Sequence, residues 1–328
     1  MTLLVVVGAV IVVVVALVLV VPRLVVRGDE RRALPPTGLA DPIPGGRSTT
    51  VTTDDGAELA VEEWGAGPPI VLVHGLSLDH RSWHYQYVDL ADRFRLVGVD
   101  LRGHGRSTLG SEPVGPHRFA ADLAAVLEQL DLRDAVVVGH SLGGTVVGQL
   151  CADRADLVNE RVAGLGFVGT FASAIAGEGR FRELFSPTMI RLAARFQTGT
   201  EPRGEANTRP IAYVMARSPF GPHPQPEQVR FTLDMGSATA PAVMGGATLA
   251  NIDYDVRDAL GEIDRPSLVV RGAHDTLSTE RSVAQLEEAL ADPEVVTFEG
   301  CGHLPMLEDR ARFADVLTGF VDRVTTRP

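Results

Sequence analysis

Val136-Val-Val-Gly139-His140-Ser141-Leu142-Gly143-Gly144 is an apolar run that ends in Gly-x-Ser-x-Gly, and a helical pattern follows at Thr145–Ala152. A serine on a sharp strand-to-helix turn sits in strained backbone, and side chains at the flanking Gly139 and Gly143 would clash with the turn. Such a turn exposes the Ser141 hydroxyl and aims a helix N-terminus at it, which favours developing negative charge. In a Gly-rich chain the pattern alone arises by chance. The strand before it and the helix after it make Ser141 a candidate nucleophile.

A serine hydroxyl is a poor nucleophile without a base, and the base needs an orienting carboxylate. Two downstream runs supply them. In Val269-Val-Arg-Gly272-Ala-His-Asp275 an acid follows an apolar strand, and in Glu299-Gly-Cys-Gly-His303 a histidine follows the next one. Both fall in loops at strand C-termini, the edge where open α/β sheets build sites. Asp275 and His303 are therefore the candidate acid and base. His274 competes as base, but its neighbour Asp275 is badly placed to orient it. Asp255 and Asp264 compete as acid, but both precede their strand and would lie at its wrong end. Val71-Leu-Val-His74-Gly75-Leu76 also ends a strand, with a His-Gly turn that lets backbone amides point inward. The N–H groups of Leu76 and Leu142 are the candidate donors to an oxyanion, and His74 reads as support for its loop.

Around these motifs strands and helices alternate. Residues 49–53 and 57–63 flank the turn signal Asp55-Gly56. Short Val/Leu/Ile runs follow at 70–73, 96–99, 135–138, 162–168 and 267–270, as expected of strands buried on both faces of a parallel sheet. Helical patterns separate them, at 118–130, 281–290 and 310–324, with a further strand at 295–298. This rhythm predicts a doubly wound α/β sheet. Residues 171–250 break it. They hold helical spacings of Phe181, Leu184, Phe185, Met189, Ile190, Leu192 and Phe196, and the Pro-dense run Ser218–Pro226. That stretch reads as a helical insert, a packed one or a lid over the strand ends.

With these motifs the chain resembles the α/β-hydrolase superfamily, in its serine esterase and lipase branch. The resemblance rests on His74-Gly75, Asp100-Leu-Arg-Gly-His-Gly-Arg-Ser107, Gly139–Gly143, Gly272–Asp275 and Gly302-His303, in the family's order. It implies an eight-stranded, mostly parallel sheet, a cap after the sixth strand and cofactor-free catalysis by a Ser141-Asp275-His303 triad. The Asp100–Ser107 loop is structural in that family. Branches that hydrolyse epoxides or haloalkanes place Asp at the nucleophile, so Ser141 points away from them. Acyl transfer, C–C hydrolysis and cofactor-free perhydrolysis use the same triad, and a non-catalytic binding module is a further alternative.

Composition bounds the rest. A chain of 328 residues fits one large domain or two ordinary ones at roughly 150 residues each. A net charge of −12 argues against a nucleic-acid partner. Cys151 and Cys301 are too few for a disulfide framework, and no Cys-x-x-Cys pair suggests zinc. Cys301 reads as a buried loop cysteine and Asn251–Asp255 as a solvated re-entry into the core, so neither a metal nor a cofactor is expected.

The mean hydropathy of +0.10 is high for an acidic chain. Leu3 to Val21 holds only apolar residues and Gly8, and Arg23 is the first charge. About 20 residues of helix span a bilayer core. The run lacks the basic start and small-residue cleavage site of a secretory signal, and it is too apolar all round for a core helix. It reads as a retained single-pass anchor over 1–22. Arg23, Arg27, Arg31 and Arg32 then put the remainder on the cytoplasmic side. The expected organisation adds a Pro/Gly-rich linker over 23–47, a core in two parts (48–170 and 251–328) and a cap over 171–250. A membrane-anchored esterase acting on a small ester or a lipid-like one, such as a monoacylglycerol, is the resulting expectation.

Overall fold

The computed structural model describes residues 20–32, 35–173 and 210–325. Eight strands form one sheet: β1 Arg47–Thr52, β2 Glu58–Trp64, β3 Pro69–Val73, β4 Arg95–Val99, β5 Ala135–His140, β6 Val162–Val168, β7 Ser267–Gly272 and β8 Glu294–Phe298. Their spatial order is β1-β2-β4-β3-β5-β6-β7-β8. The first hairpin is antiparallel and β2 runs antiparallel to β4. Every other pairing is parallel. The mostly parallel α/β sheet expected from the alternating pattern is the observed one.

Side chains of a strand point alternately to its two faces, and the core divides that way. Val71, Val73, Val137, Leu165, Phe167 and Val269 join helices Pro116–Gln129 and Leu142–Asp153 on one face. Ile70, Leu72, Val136, Val138, Leu268 and Val270 join helices His84–Leu90 and Arg310–Thr325 on the other. Both faces are covered, which is why these strands read as continuous apolar runs.

Strand order fixes where a site can form. From β3 the chain crosses to β4 on one side, and β5 then lies on β3's other side. The helices that follow β3 and β5 lie on opposite faces of the sheet, and the strand C-termini at such a reversal are where open α/β sheets build sites.

Within the insert after β6, helices Pro210–Arg217, Pro226–Ser237 and Pro241–Ala250 are seen. Tyr213, Phe220, Val229 and Met235 bury into the second core cluster. The expected helical run from Phe181 to Phe196 lies outside the described residues.

The N-terminal expectations need correction. Residues 1–19, most of the apolar run, lie outside the described residues, and among the described residues no helix is long and apolar enough to cross a membrane. The single-pass localisation and its cytoplasmic orientation are therefore withdrawn. The physical reason is that hydropathy reports transfer preference alone, whereas a spanning helix needs about 20 apolar residues in one helix, a length that no described helix supplies. The linker reading changes too. Helix Val21–Glu30 packs on the insert helix Pro210–Arg217. Asp29, 4% exposed, accepts from Tyr213 Oη (3.1 Å) and pairs with Arg217 Nε (2.9 Å). Farther on, Thr37 N–H donates to Glu227 Oε2 at 2.9 Å.

Candidate active site

Ser141 follows the end of β5 and caps helix Leu142–Asp153, with φ 52° and ψ −115°. A non-glycine residue at positive φ is strained, at a cost of order 1–3 kcal/mol. The surroundings hold it there. Its N–H donates to the Val168 carbonyl (2.9 Å), and its carbonyl accepts from Gly144 N–H (2.9 Å) and Thr170 Oγ1 (2.8 Å). The flanking glycines are small for want of room: a Cβ on Gly139 would lie 2.3 Å from the Gly143 carbonyl oxygen. One on Gly143 would lie 2.2 Å from that of Val73. Strand, turn and helix are thus pressed backbone to backbone.

Beside Ser141 runs the loop after β3. A Cβ on Gly75 would sit 3.1 Å from the Ser141 Cβ, so the His-Gly turn brings main chain against the serine. Leu142 N–H opens its helix and has no carbonyl of that helix behind it. For Leu76 N–H, the described residues offer no backbone acceptor. His74 is fully buried and ties this loop down: its Nε2 accepts from Leu101 N–H (2.9 Å), so its Nδ1–H donates to the Gly75 carbonyl (2.7 Å).

The loops after β7 and β8 bring Asp275 and His303 together. His303 Nδ1 donates to Asp275 Oδ2 at 2.8 Å, which leaves Nε2 as the ring nitrogen with a free lone pair. Asp275 also accepts from Ser278 Oγ on Oδ2, and from the N–H groups of Leu277 (2.8 Å) and Ser278 (3.0 Å) on Oδ1. Burial pushes the Asp275 carboxyl up, but the His303 bond and charge, with these donors, hold it below its ordinary range. His303 lies against Gly169, the residue after β6, whose Cβ would meet Nδ1 at 3.2 Å. All three candidates therefore stand at the C-terminal edge of the sheet, in the loops that follow β5, β7 and β8.

The competitors lie elsewhere in role. His274 is held by its main chain to the Cys301 carbonyl at 2.9 Å. Asp255 is paired with Arg257 at 2.6 Å, and Asp264 is exposed. Burial raises the Cys301 thiol to about 12, which keeps it from thiolate chemistry. The Asp100–Ser107 loop is a buried brace: Asp100 accepts from His80 N–H (2.8 Å) and Arg106 N–H (3.0 Å). Arg102 forks onto Asp122 and Asp55.

Several supporting groups escaped the sequence reading. The backbone bonds of Leu277 and Ser278 had a signal, since an Asp in a turn commonly accepts from the main chain just after it. His140 lay inside the motif, yet nothing local said that its Nε2–H reaches the His303 carbonyl at 2.8 Å. Burial and the His303 charge lower its pKa to about 3, so it stays neutral. Thr170 meets the site only through the fold, whereas Glu308 bonds back to the His303 loop from four to six residues downstream.

Comparison with known proteins agrees with this fold. Residues 68–310 match the family described as alpha/beta hydrolase fold. A non-heme chloroperoxidase of Streptomyces lividans is 31% identical over 272 residues, 77% of this chain and 92% of that protein. Among solved structures, a thermophilic esterase from Thermogutta terrifontis has a TM-score of 0.72 at 26% identity, covering 85% of this chain and 100% of its own. An esterase from Rhodococcus sp. has a TM-score of 0.68 at 26% identity, over 84% and 99%. With a match across most of its length and the sheet and elbow to support it, the chain belongs to the α/β-hydrolase fold family.

Proposed function

We propose that this protein is a serine hydrolase of carboxylic esters. The observation that carries the reading is the His303–Asp275 pair at the same sheet edge as the strained Ser141 turn. Ser141 Oγ attacks the ester carbonyl while His303 Nε2 takes its proton. Asp275 holds the imidazole tautomer and favours the imidazolium. The N–H groups of Leu76 and Leu142 hold the oxyanion, each worth roughly 10²–10³ in rate. His303 then protonates the leaving alkoxide, and water activated by the same base cleaves the acyl-enzyme. The similarity to two esterases supports the ester as substrate. A lipid-like ester drew its support from the anchor and from apolar insert residues outside the described ones, so a small carboxylic ester is the substrate assigned.

The chloroperoxidase relative favours one second reading. Hydrogen peroxide in place of water would attack the acyl-enzyme, releasing a peracid and regenerating the Ser141 hydroxyl. Both readings share one test. Ser141→Ala should abolish fluorophosphonate labelling and p-nitrophenyl acetate hydrolysis while leaving the fold intact, and undiminished labelling of that variant refutes the nucleophile. Peracid formation from acetate and peroxide by the wild type, absent in the variant, selects the second reading.

A further inference from the structure

The loop that carries His303 is gripped by a carboxylate absent from the scheme above. Glu308 ends the short helix Pro305–Glu308 and turns back over the loop. Its Oε1 accepts from the N–H groups of Gly302 (2.9 Å) and Leu304 (3.1 Å), the residues on either side of His303. Its Oε2 accepts from Gly221 N–H at 2.6 Å, in the insert. The intervening His303 N–H donates to the Pro219 carbonyl at 2.7 Å, and the His303 carbonyl accepts from His140. The two loops meet backbone to backbone: a Cβ on Gly302 would lie 2.3 Å from the Pro219 oxygen. One on Gly221 would lie 2.6 Å from that of Gly300.

Hydrogen bonds to an ionised acceptor are about twice as strong as neutral ones. Here three of them converge on one side chain from two separate stretches of chain. The His303 ring is oriented through Nδ1 by Asp275, but the position of the ring follows the main chain that bears it. We infer that Glu308 is the positioning residue for the base: it fixes the backbone at His303 and ties it to the Pro219–Gly221 corner of the insert, so that insert and base move as one body. This rests on the reading of His303 as the general base of Ser141.

The test compares Glu308→Gln and Glu308→Ala with wild type in the full chain. The Gln carbonyl can keep the Gly302 and Leu304 bonds while its amide opposes Gly221 N–H, so only the insert tie is lost. Alanine loses all three. A misplacement of about 1 Å can cost roughly a hundredfold in rate. On p-nitrophenyl acetate kcat should fall about tenfold in the Gln variant and roughly a hundredfold in the Ala variant, with KM within about twofold. The fluorophosphonate labelling rate per folded molecule, counted by near-UV circular dichroism, should fall in parallel. Wild-type kcat and labelling rate in both variants overturn the inference. So does a loss of activity that merely tracks the folded fraction, because Glu308 would then hold the fold and not the base. Should the Ala variant not fold, the Gln variant decides. An unlabelled wild type, or a labelled Ser141→Ala, removes the triad reading and the inference with it. A labelled wild type with unaffected Glu308 variants removes the inference alone.

Discussion

At Asp275 four donors meet on one buried carboxylate, and only one of them is on the proposed base, His303. The other three keep the carboxylate fixed and ionised, and in the proposed mechanism it then selects the Nδ1–H tautomer of His303 and stabilises the imidazolium. Asp275→Asn keeps the size and loses the charge. It should lower kcat for p-nitrophenyl acetate by about 10³–10⁴ with the fold retained; a loss under about tenfold would take Asp275 out of that role. Much of this was legible in the sequence. Ser141, Asp275 and His303 each follow an apolar run directly, and an apolar run followed by a loop already says which sheet edge the loop leaves. The backing groups were not legible. His140, Thr170 and the tie of Glu308 to Gly221 are defined by partners far along the chain, and no local pattern encodes which carbonyl a buried imidazole will meet.

Among the elements, the strand–turn–helix around Ser141 is the most tightly constrained. The helix Leu142–Asp153 starts three residues earlier than its apolar pattern, because Leu142 to Gly144 carry no periodicity and are set by the turn. Gly143→Ala would push a Cβ against the Val73 and His74 carbonyl oxygens, both backbone atoms that cannot rotate away. Overpacking of this kind should cost about 1–3 kcal/mol, measured as a lowered urea midpoint. In Gly28→Ala the Cβ meets nothing within 4 Å in helix Val21–Glu30, so that change should stabilise slightly, by about 0.5–1 kcal/mol. Equal midpoints for the two variants would refute the close-packing account. The strands were readable to within one or two residues from their Val/Leu/Ile content. The helix Val21–Glu30 was not, since its residues sit between an apolar run and a Pro/Gly-rich stretch, and its buried face is made by Tyr213 and Arg217.

For the molecule as a whole, buried histidines of lowered pKa set a pH dependence, His84 in helix His84–Leu90 among them. His74, His104 and His140 lie in the loops and strand ends around the site, and burial lowers the pKa of each, to about 3 for His104 and His140. An unfolded imidazole titrates near 6.5. Between those values the unfolded chain binds more protons than the folded one, so stability rises with pH across the window and is lost as pH falls below about 6.5. The urea midpoint should therefore be lower at about pH 5 than at about pH 7.5, and His104→Asn should flatten part of the difference. A midpoint that does not change between the two would contradict the burial of these rings as neutral groups.

The sequence by itself determined the layered α/β architecture and the identity of the candidate nucleophile, base and acid. Those features depend on short-range periodicity, on small residues at a sharp turn and on which loop follows which strand. Tertiary structure alone decided the sheet order with its reversal at β3 and β5, the docking of Val21–Glu30 on the insert, and the tie of Glu308 to Gly221. The sheet order, the N-terminal docking and the Glu308 bond to Gly221 join groups tens to hundreds of residues apart, and such pairings are chosen by the packing of the whole chain and leave no local mark.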